Sequence, residues 1–242
     1  MFLYKCLTLT FISFILVTVN TQDAVFNSFV VITNLLTGGY TRAENIEADI
    51  LLMEHKLRAL QDKVDIKIYY ECHCSDCILF DTTQLRPTVE LLGSKLNLHL
   101  NPYGNAETID NGNGKYEFKC QHGPTECYGN KLHACAIDLL GNQTLAVMYN
   151  SCMMNSNRKD KGSDDNAADE CGKLLKINSK PIKQCAKGLK GSLLLKAYGD
   201  ESKRVGFKFV PYILINGVQN DGSHFKRDVC AAFANPPPEC SK

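Results

Sequence analysis

The chain has 242 residues, 44% apolar and 22% charged, with twelve cysteines and no tryptophan. That is enough chain for one globular domain with a real core, and too much for a miniprotein held by disulfides alone. A formal net charge of +1 and a pI near 7.5 leave no basic footprint for nucleic acid and no demand for a polyanionic partner.

The opening segment, "MFLYKCLTLTFISFILVTVNTQ", sets Lys5 before an apolar run from about Cys6 to Val19 and closes in small polar residues. This is the layout of a secretory signal peptide over residues 1–21. A spanning helix needs roughly 20 predominantly apolar residues, and this shorter run carries Thr8, Thr10, Ser13 and Thr18. The expectation is cleavage near Asn20 or Thr21, with no membrane span afterwards. Removal takes Cys6 and leaves an odd number of cysteines in an oxidising compartment, hence a free thiol, an intermolecular bridge or a mobile pairing. "NQT" at Asn142 is a glycosylation acceptor that fits the same route.

Residues 22–63 read as an N-terminal extension, either a pro-segment or part of the fold. Within it Ile46, Ile50, Met53, Leu57 and Leu60, continued by Val64, recur at steps of four and three with charges between them. This predicts an amphipathic helix that docks on its own domain or forms a seam between two copies. "DIKIYYE", Asp65 to Glu71, alternates as a strand does. Helical spacing follows from Cys77 through Leu92, with a kink expected at Pro87 and a stop at Gly93. "LNLHLNPYG", Leu96 to Gly104, is a second strand, so the first three elements make a parallel βαβ crossover with cysteines at its first turn.

"KYEFKC" is a short strand, and about Thr125 to Cys152 is helical by periodicity. "MNSNRKDKGSDDNAADE", Met154 to Glu170, is polar and aperiodic and predicts an exposed loop. Helical pieces continue from Lys173 to about Leu195. "FKFVPYILINGVQ" is a hairpin around Asn216-Gly217, and a last helix starts near Ser223 and stops before Pro236. The order predicts an α/β chain, residues 64–242, with the thioredoxin-like arrangement and a helical insertion at about 121–195.

Cys74-Ser75-Asp76-Cys77 is a CxxC where a strand gives way to a helix. The thiolate is the species that attacks a disulfide, and a helix N-terminus favours negative charge. Cys74 would be the exposed nucleophile, and Cys77, one turn on, the resolving thiol. Val210 and Pro211 precede the strand that would run beside this turn, where a cis X-Pro bond would face the sulfurs and bind substrate. An alternative makes Cys72, His73, Cys74 and Cys77 metal ligands. Zinc sites draw paired ligands from separated loops, and residues 72 and 74 should leave one strand face while His73 leaves the other. No metal and no other cofactor is expected. A CxxC that is merely one more structural disulfide is the remaining reading of these residues.

"CQHGPTECYGNKLHAC", Cys120 to Cys135, fills every fixed position of a second pattern: CQHG, two residues, EC, two residues, N, four residues, C. It resembles the signature of the gamma-interferon-inducible lysosomal thiol reductase family, as do "YYE" before the CxxC, "PYGNA" at Pro102 to Ala106 and "YEFKCQHG". The resemblance covers about Asp65 to Cys240. It implies a glycosylated, disulfide-braced thioredoxin-fold reductase of acidic endosomes or lysosomes that cleaves protein disulfides through Cys74 and Cys77. Cys120, Cys127, Cys135, Cys152, Cys171, Cys185, Cys230 and Cys240 are then available for structural disulfides, in one of about 105 pairings. His122 and Glu126 could orient substrate or titrate, although a His-Gly beside a disulfide also suits a turn.

Two features depart from a simple reductase. Asp76 and Glu71 put negative charge near Cys74, which predicts a raised thiol pKa. Cys72 is a third thiol, expected to be a spare in the core, a competitor for Cys74 or Cys77, or the handle of a disulfide-linked dimer. The same scaffold could serve as a secreted, non-enzymatic binding or host-defence protein, or as an oxidase with a higher potential.

Overall fold

Alternation along Val64–Tyr70 buries Val64, Ile66, Ile68 and Tyr70 and leaves Asp65 and Lys67 half-buried, forming strand β1. The computed structural model describes residues 63–155 and 162–241, with Ile50, Leu52 and Met53 of the preceding segment. Those three are helical, in a unit, Met1–Leu57, separate from Arg58–Lys242. The signal peptide and the rest of the extension, with any dimer seam on it, lie outside the described residues.

Strand β2, Leu96–Pro102, runs parallel to β1 from the Val64 to Leu96 pairing through Tyr70 to Pro102. A separate antiparallel ribbon follows, made of β3, Glu107–Asp110, and β4, Tyr116–Lys119. β5, Tyr212–Ile215, lies antiparallel on the other side of β1, and β6, Val218–Asn220, closes the four-stranded sheet in the order β2-β1-β5-β6. Asn216 and Gly217 make the turn between them with φ of 47° and 79°, the left-handed pair that a two-residue hairpin of this kind requires.

The crossover from β1 to β2 starts with helix α1, Ser75–Phe80, widens to a π-helical stretch over Asp81–Leu85, and continues as α2, Arg86–Leu92. Pro87 has no N–H to close the turn before it. The irregularity therefore falls just ahead of it, and the hydroxyls of Thr82, Thr83 and Thr88 donate to the carbonyls of Ile78, Leu79 and Gln84. Gly93 opens a short 3-10 turn instead of ending the helix outright.

Between β4 and β5 stand α3 (Pro124–Leu140), α4 (Gln143–Met154), α5 (Asp165–Leu175), α6 (Ser179–Lys187) and α7 (Leu189–Val205). The helical block thus runs on past 195. The predicted loop over 154–170 is also shorter: Asp164 caps α5 by accepting from the Ala167 N–H, and Ser163 is buried. A second core, built on Leu132, Ala136, Tyr149, Met153 and Ile182, fills the block. The last helix, α8, is limited to Phe225–Ala231.

Four disulfides brace the chain. Cys135–Cys185 and Cys152–Cys171 cross the helical block, Cys120–Cys127 closes the entry to α3, and Cys230–Cys240 ties α8 to the C-terminal turn. Asn142 is exposed and caps α4 by accepting from the Leu145 N–H, which leaves its amide nitrogen toward solvent. Among the described residues no helix is long and apolar enough to cross a membrane.

Candidate active site

Three cysteines among the described residues remain free: Cys72, Cys74 and Cys77. β1 ends at Tyr70, and the turn that follows sets Cys74 as the N-cap of α1 with extended backbone, φ −67° and ψ 125°. An N-cap faces the unpaired N–H groups of the first helical turn. Cys74 is half-buried, and its sulfur lies 4.0 Å from the Val210 carbonyl oxygen. The Val210–Pro211 bond is cis. Strand pairing of β5 with β1 is what carries these two residues to the sulfur.

The two thiols of the CxxC differ sharply. A hydrogen bond from the Cys77 thiol, helped by the N–H groups of Cys77 and Asp76, brings Cys74 down to about 6 despite its partial burial. The Asp76 carboxylate opposes this, as its charge requires, but is the weaker influence. The sequence-based expectation of a raised Cys74 pKa is therefore corrected: directed hydrogen bonds at the helix start outweigh a solvated like charge. Cys77 is buried, and burial and its bond to Cys74 push it far up.

Cys72 is 1% exposed. Its N–H is held by Asn130 Oδ1 at 3.0 Å, and its sulfur donates to the Glu126 carbonyl at 3.6 Å. Burial places its pKa well above the ordinary value. A thiol packed against α3 is a poor handle for another chain. His73 lies beyond the strand end, buried, with Nε2 bonded to the Gly162 carbonyl at 2.9 Å, so it has its own partner away from the sulfurs.

Sequence reasoning undervalued a second cluster, which joins two distant motifs. Glu71, three residues before Cys74, is fully buried; the Asn105 N–H donates to its Oε1 at 2.8 Å. Gly104, with φ +66°, lets the chain close over the carboxylate, since a Cβ there would lie 2.2 Å from Oε1. Gln121, with its amide nitrogen facing inward, donates to both Glu71 oxygens at 3.0 and 3.1 Å. His122 Nδ1 is 2.6 Å from Glu126 Oε2 and 3.4 Å from Glu71 Oε2, and the His122 N–H donates to Glu126 Oε1 at 3.1 Å. Burial, with the charges of Glu126 and Cys74, lifts Glu71 to about 7. The ligand-type atoms of Glu71, His122 and Glu126 lie within 4.8 Å of one another. Their polar atoms already satisfy each other, so the cluster needs no cation to explain it.

A CxxC at the start of a helix, beside a sheet edge and a cis-proline loop, defines a disulfide oxidoreductase of the thioredoxin-like class. The fold is shared with reduced DsbA of Mycobacterium tuberculosis (14% identity, 74% of this chain and 86% of that one, TM-score 0.51). It is shared equally with reduced DsbG of the same organism (14% identity, 74% and 82%, TM-score 0.52). The family model for gamma interferon inducible lysosomal thiol reductase (GILT) matches residues 65–175. The chain is 33% identical over 198 residues to a gamma-interferon-inducible lysosomal thiol reductase-like protein of Anopheles gambiae, covering 74% of this chain and 81% of that protein. It is 34% identical over 191 residues to GILT-like protein 2 of Drosophila melanogaster, covering 74% and 84%. The chain belongs to the GILT family.

Proposed function

We propose that this protein reduces protein disulfides by thiol exchange through Cys74 and Cys77, in an endosomal, lysosomal or secreted setting. The observation that carries the reading is the asymmetry of the two thiols: one half-buried and acidified at a helix start, the other buried and held protonated. The Cys74 thiolate attacks one sulfur of a substrate disulfide. A Cys74–substrate bond forms, the substrate bond breaks, and the departing thiolate takes a proton. Cys77 then loses its proton and attacks the Cys74 sulfur, releasing the second substrate thiol and leaving a Cys74–Cys77 disulfide. Two electrons pass to substrate, and an external thiol reductant restores the pair.

Substrate would lie over Val210 and Pro211, the backbone nearest the Cys74 sulfur, with Phe209 exposed beside them. A Cys74 pKa near 6 keeps a useful thiolate fraction in mildly acidic fluid, where an ordinary thiol near 8.5 would have almost none. The N-terminal segment and Asn142 support passage through the secretory route. The test is to assay the Cys74→Ser and Cys77→Ser proteins on a fluorogenic peptide disulfide with a thiol reductant. Cys74→Ser loses turnover and Cys77→Ser accumulates a mixed disulfide visible by mass. Wild-type rates in both would dispose of the reading.

A further inference from the structure

The reaction leaves one proton unaccounted for. Cys77 must ionise to resolve the mixed disulfide, yet it is buried and far from acidic. Two buried carboxyl groups are candidates to receive that proton. Asp81 shares with Cys77 the lining of a small enclosed cavity, but its carboxylate is occupied by the Ser151 hydroxyl inside the core, away from solvent. Glu71 is better placed. The Cys77 sulfur accepts from the Glu71 backbone N–H, and the carboxylates and sulfurs sense one another's charge. From Glu71 the way out is continuous: its Oε2 is 3.4 Å from Nδ1 of His122, the one partly exposed member of the cluster at 38%.

Building on the thiol-exchange reading, we infer that Glu71 takes the Cys77 proton in the resolving step and that His122, clamped by Glu126, passes it to solvent. The groups facing Glu71 among the described residues are Cys74 and Cys77 from α1, Cys72 beside it, His122 from the turn before α3, and Glu126 from α3 itself. Two of them set the timing. While Cys74 is a thiolate, its charge and that of Glu126 keep the proton on Glu71. Formation of the mixed disulfide removes the Cys74 charge, and Glu71 then ionises more readily. A base forms beside Cys77 at the step that needs one. The cycle balances: the proton leaves Cys77 for Glu71, travels through the imidazole to water, and the electron pair of Cys77 makes the new S–S bond. This gives the signature residues Gln121, His122 and Glu126 a part in the chemistry, orienting and draining the buried acid, that a simple turn would not have.

Rapid-quench single turnovers of the full chain separate the two steps, using a labelled peptide disulfide across about pH 4 to 8. In Glu71→Gln the mixed disulfide forms within about threefold of the wild-type rate but resolves on the order of 10²-fold more slowly, and the inflection of the resolving step near pH 7 disappears. In His122→Gln, whose partly exposed side chain makes misfolding a small concern, resolution slows by about tenfold and the inflection shifts. Asp81→Asn resolves as wild type does. Unchanged resolving rates and pH profiles in both Glu71→Gln and His122→Gln overturn the inference, as does a resolving defect found in Asp81→Asn instead. If wild-type protein forms no mixed disulfide at all, it is the thiol-exchange reading that fails.

Discussion

The Cys77 thiol donates a hydrogen bond to the Cys74 sulfur, and that one bond moves the two groups in opposite directions, Cys74 down to about 6 and Cys77 up. Which thiol attacks first is thereby decided before substrate arrives. Alkylation of reduced protein with iodoacetamide should follow a single titration with a midpoint near pH 6. Replacing Cys77 with Ala removes the leading stabilisation of the thiolate and should raise that midpoint, while Asp76→Asn removes a like charge and should lower it. A midpoint that stays in place in Cys77→Ala would show that the helix N–H groups alone set it.

Cys72 should behave as core, not as a redox partner. Its sulfur would lie 2.6 Å from a Cβ built on Gly129, which also meets the Ser163 carbonyl at 2.9 Å. Cys72→Ser is expected to keep disulfide reduction within about twofold and to leave the chain's oligomeric state in sizing experiments unchanged, since burying a thiol this deep silences it. Gly129→Ala, by contrast, overpacks α3 against a backbone atom and should cost about 1–3 kcal/mol in urea unfolding. A dimer lost in Cys72→Ser would contradict this placement.

Asp81 ties stability to pH with a definite sign. Burial raises it from 3.8 to about 7 in the folded chain. The stability contributed by its protonated form is complete below about pH 4 and is lost as pH rises through about 7, at up to 1.4 kcal/mol per pH unit, an order-of-magnitude slope of about one proton. His133, buried and lowered to about 3, acts with the opposite sign, favouring the fold above about pH 6.5 and withdrawing that support as pH falls toward 3. The clean measurement is therefore a difference. Urea denaturation of wild type and Asp81→Asn at several pH values should show the variant gaining relative to wild type from about pH 4 to about pH 7. Parallel curves would mean that Asp81 is not titrating there.

The disulfides should rank by the loop each closes. Cys135–Cys185 spans 50 residues and Cys120–Cys127 spans 7. On chain-entropy grounds, removing the first pair as Cys135→Ala/Cys185→Ala costs about 4 kcal/mol and removing the second about 2 kcal/mol. Equal losses in thermal or urea unfolding would argue that enthalpic effects dominate.

Much of the scaffold was legible because it rests on local signals. The alternation of Asp65 to Glu71, the Asn216-Gly217 turn and the CxxC between a strand and a helix each need only neighbouring residues. What could not be read were pairings across the chain. Glu71 and His122 meet only because β1 and the turn before α3 fold to the same place, and no periodicity connects positions so far apart. The signature at Cys120 marked His122 and Glu126 without saying what they face. The Cys74 pKa was misjudged for a related reason: Asp76 is visible in the sequence, whereas the hydrogen bond from Cys77 is a matter of geometry. The loop over 154–170 looked polar enough to be open, yet Asp164 caps a helix there and Ser163 accepts no solvent, its hydroxyl bonded to His133 at 2.9 Å.

The Cys120–Cys127 bridge encloses the short segment that carries Gln121, His122 and Glu126. Cys127 is buried, but Cys120 is only half-buried and so within reach of small thiols. The groups that hold and drain the buried acid are thus kept in register by a bond of the same chemical kind as those the enzyme opens. The external thiol that recharges the catalytic pair is also, at high enough concentration, the reagent that would unpin its proton outlet, so the most reducing surroundings need not be those in which it works fastest.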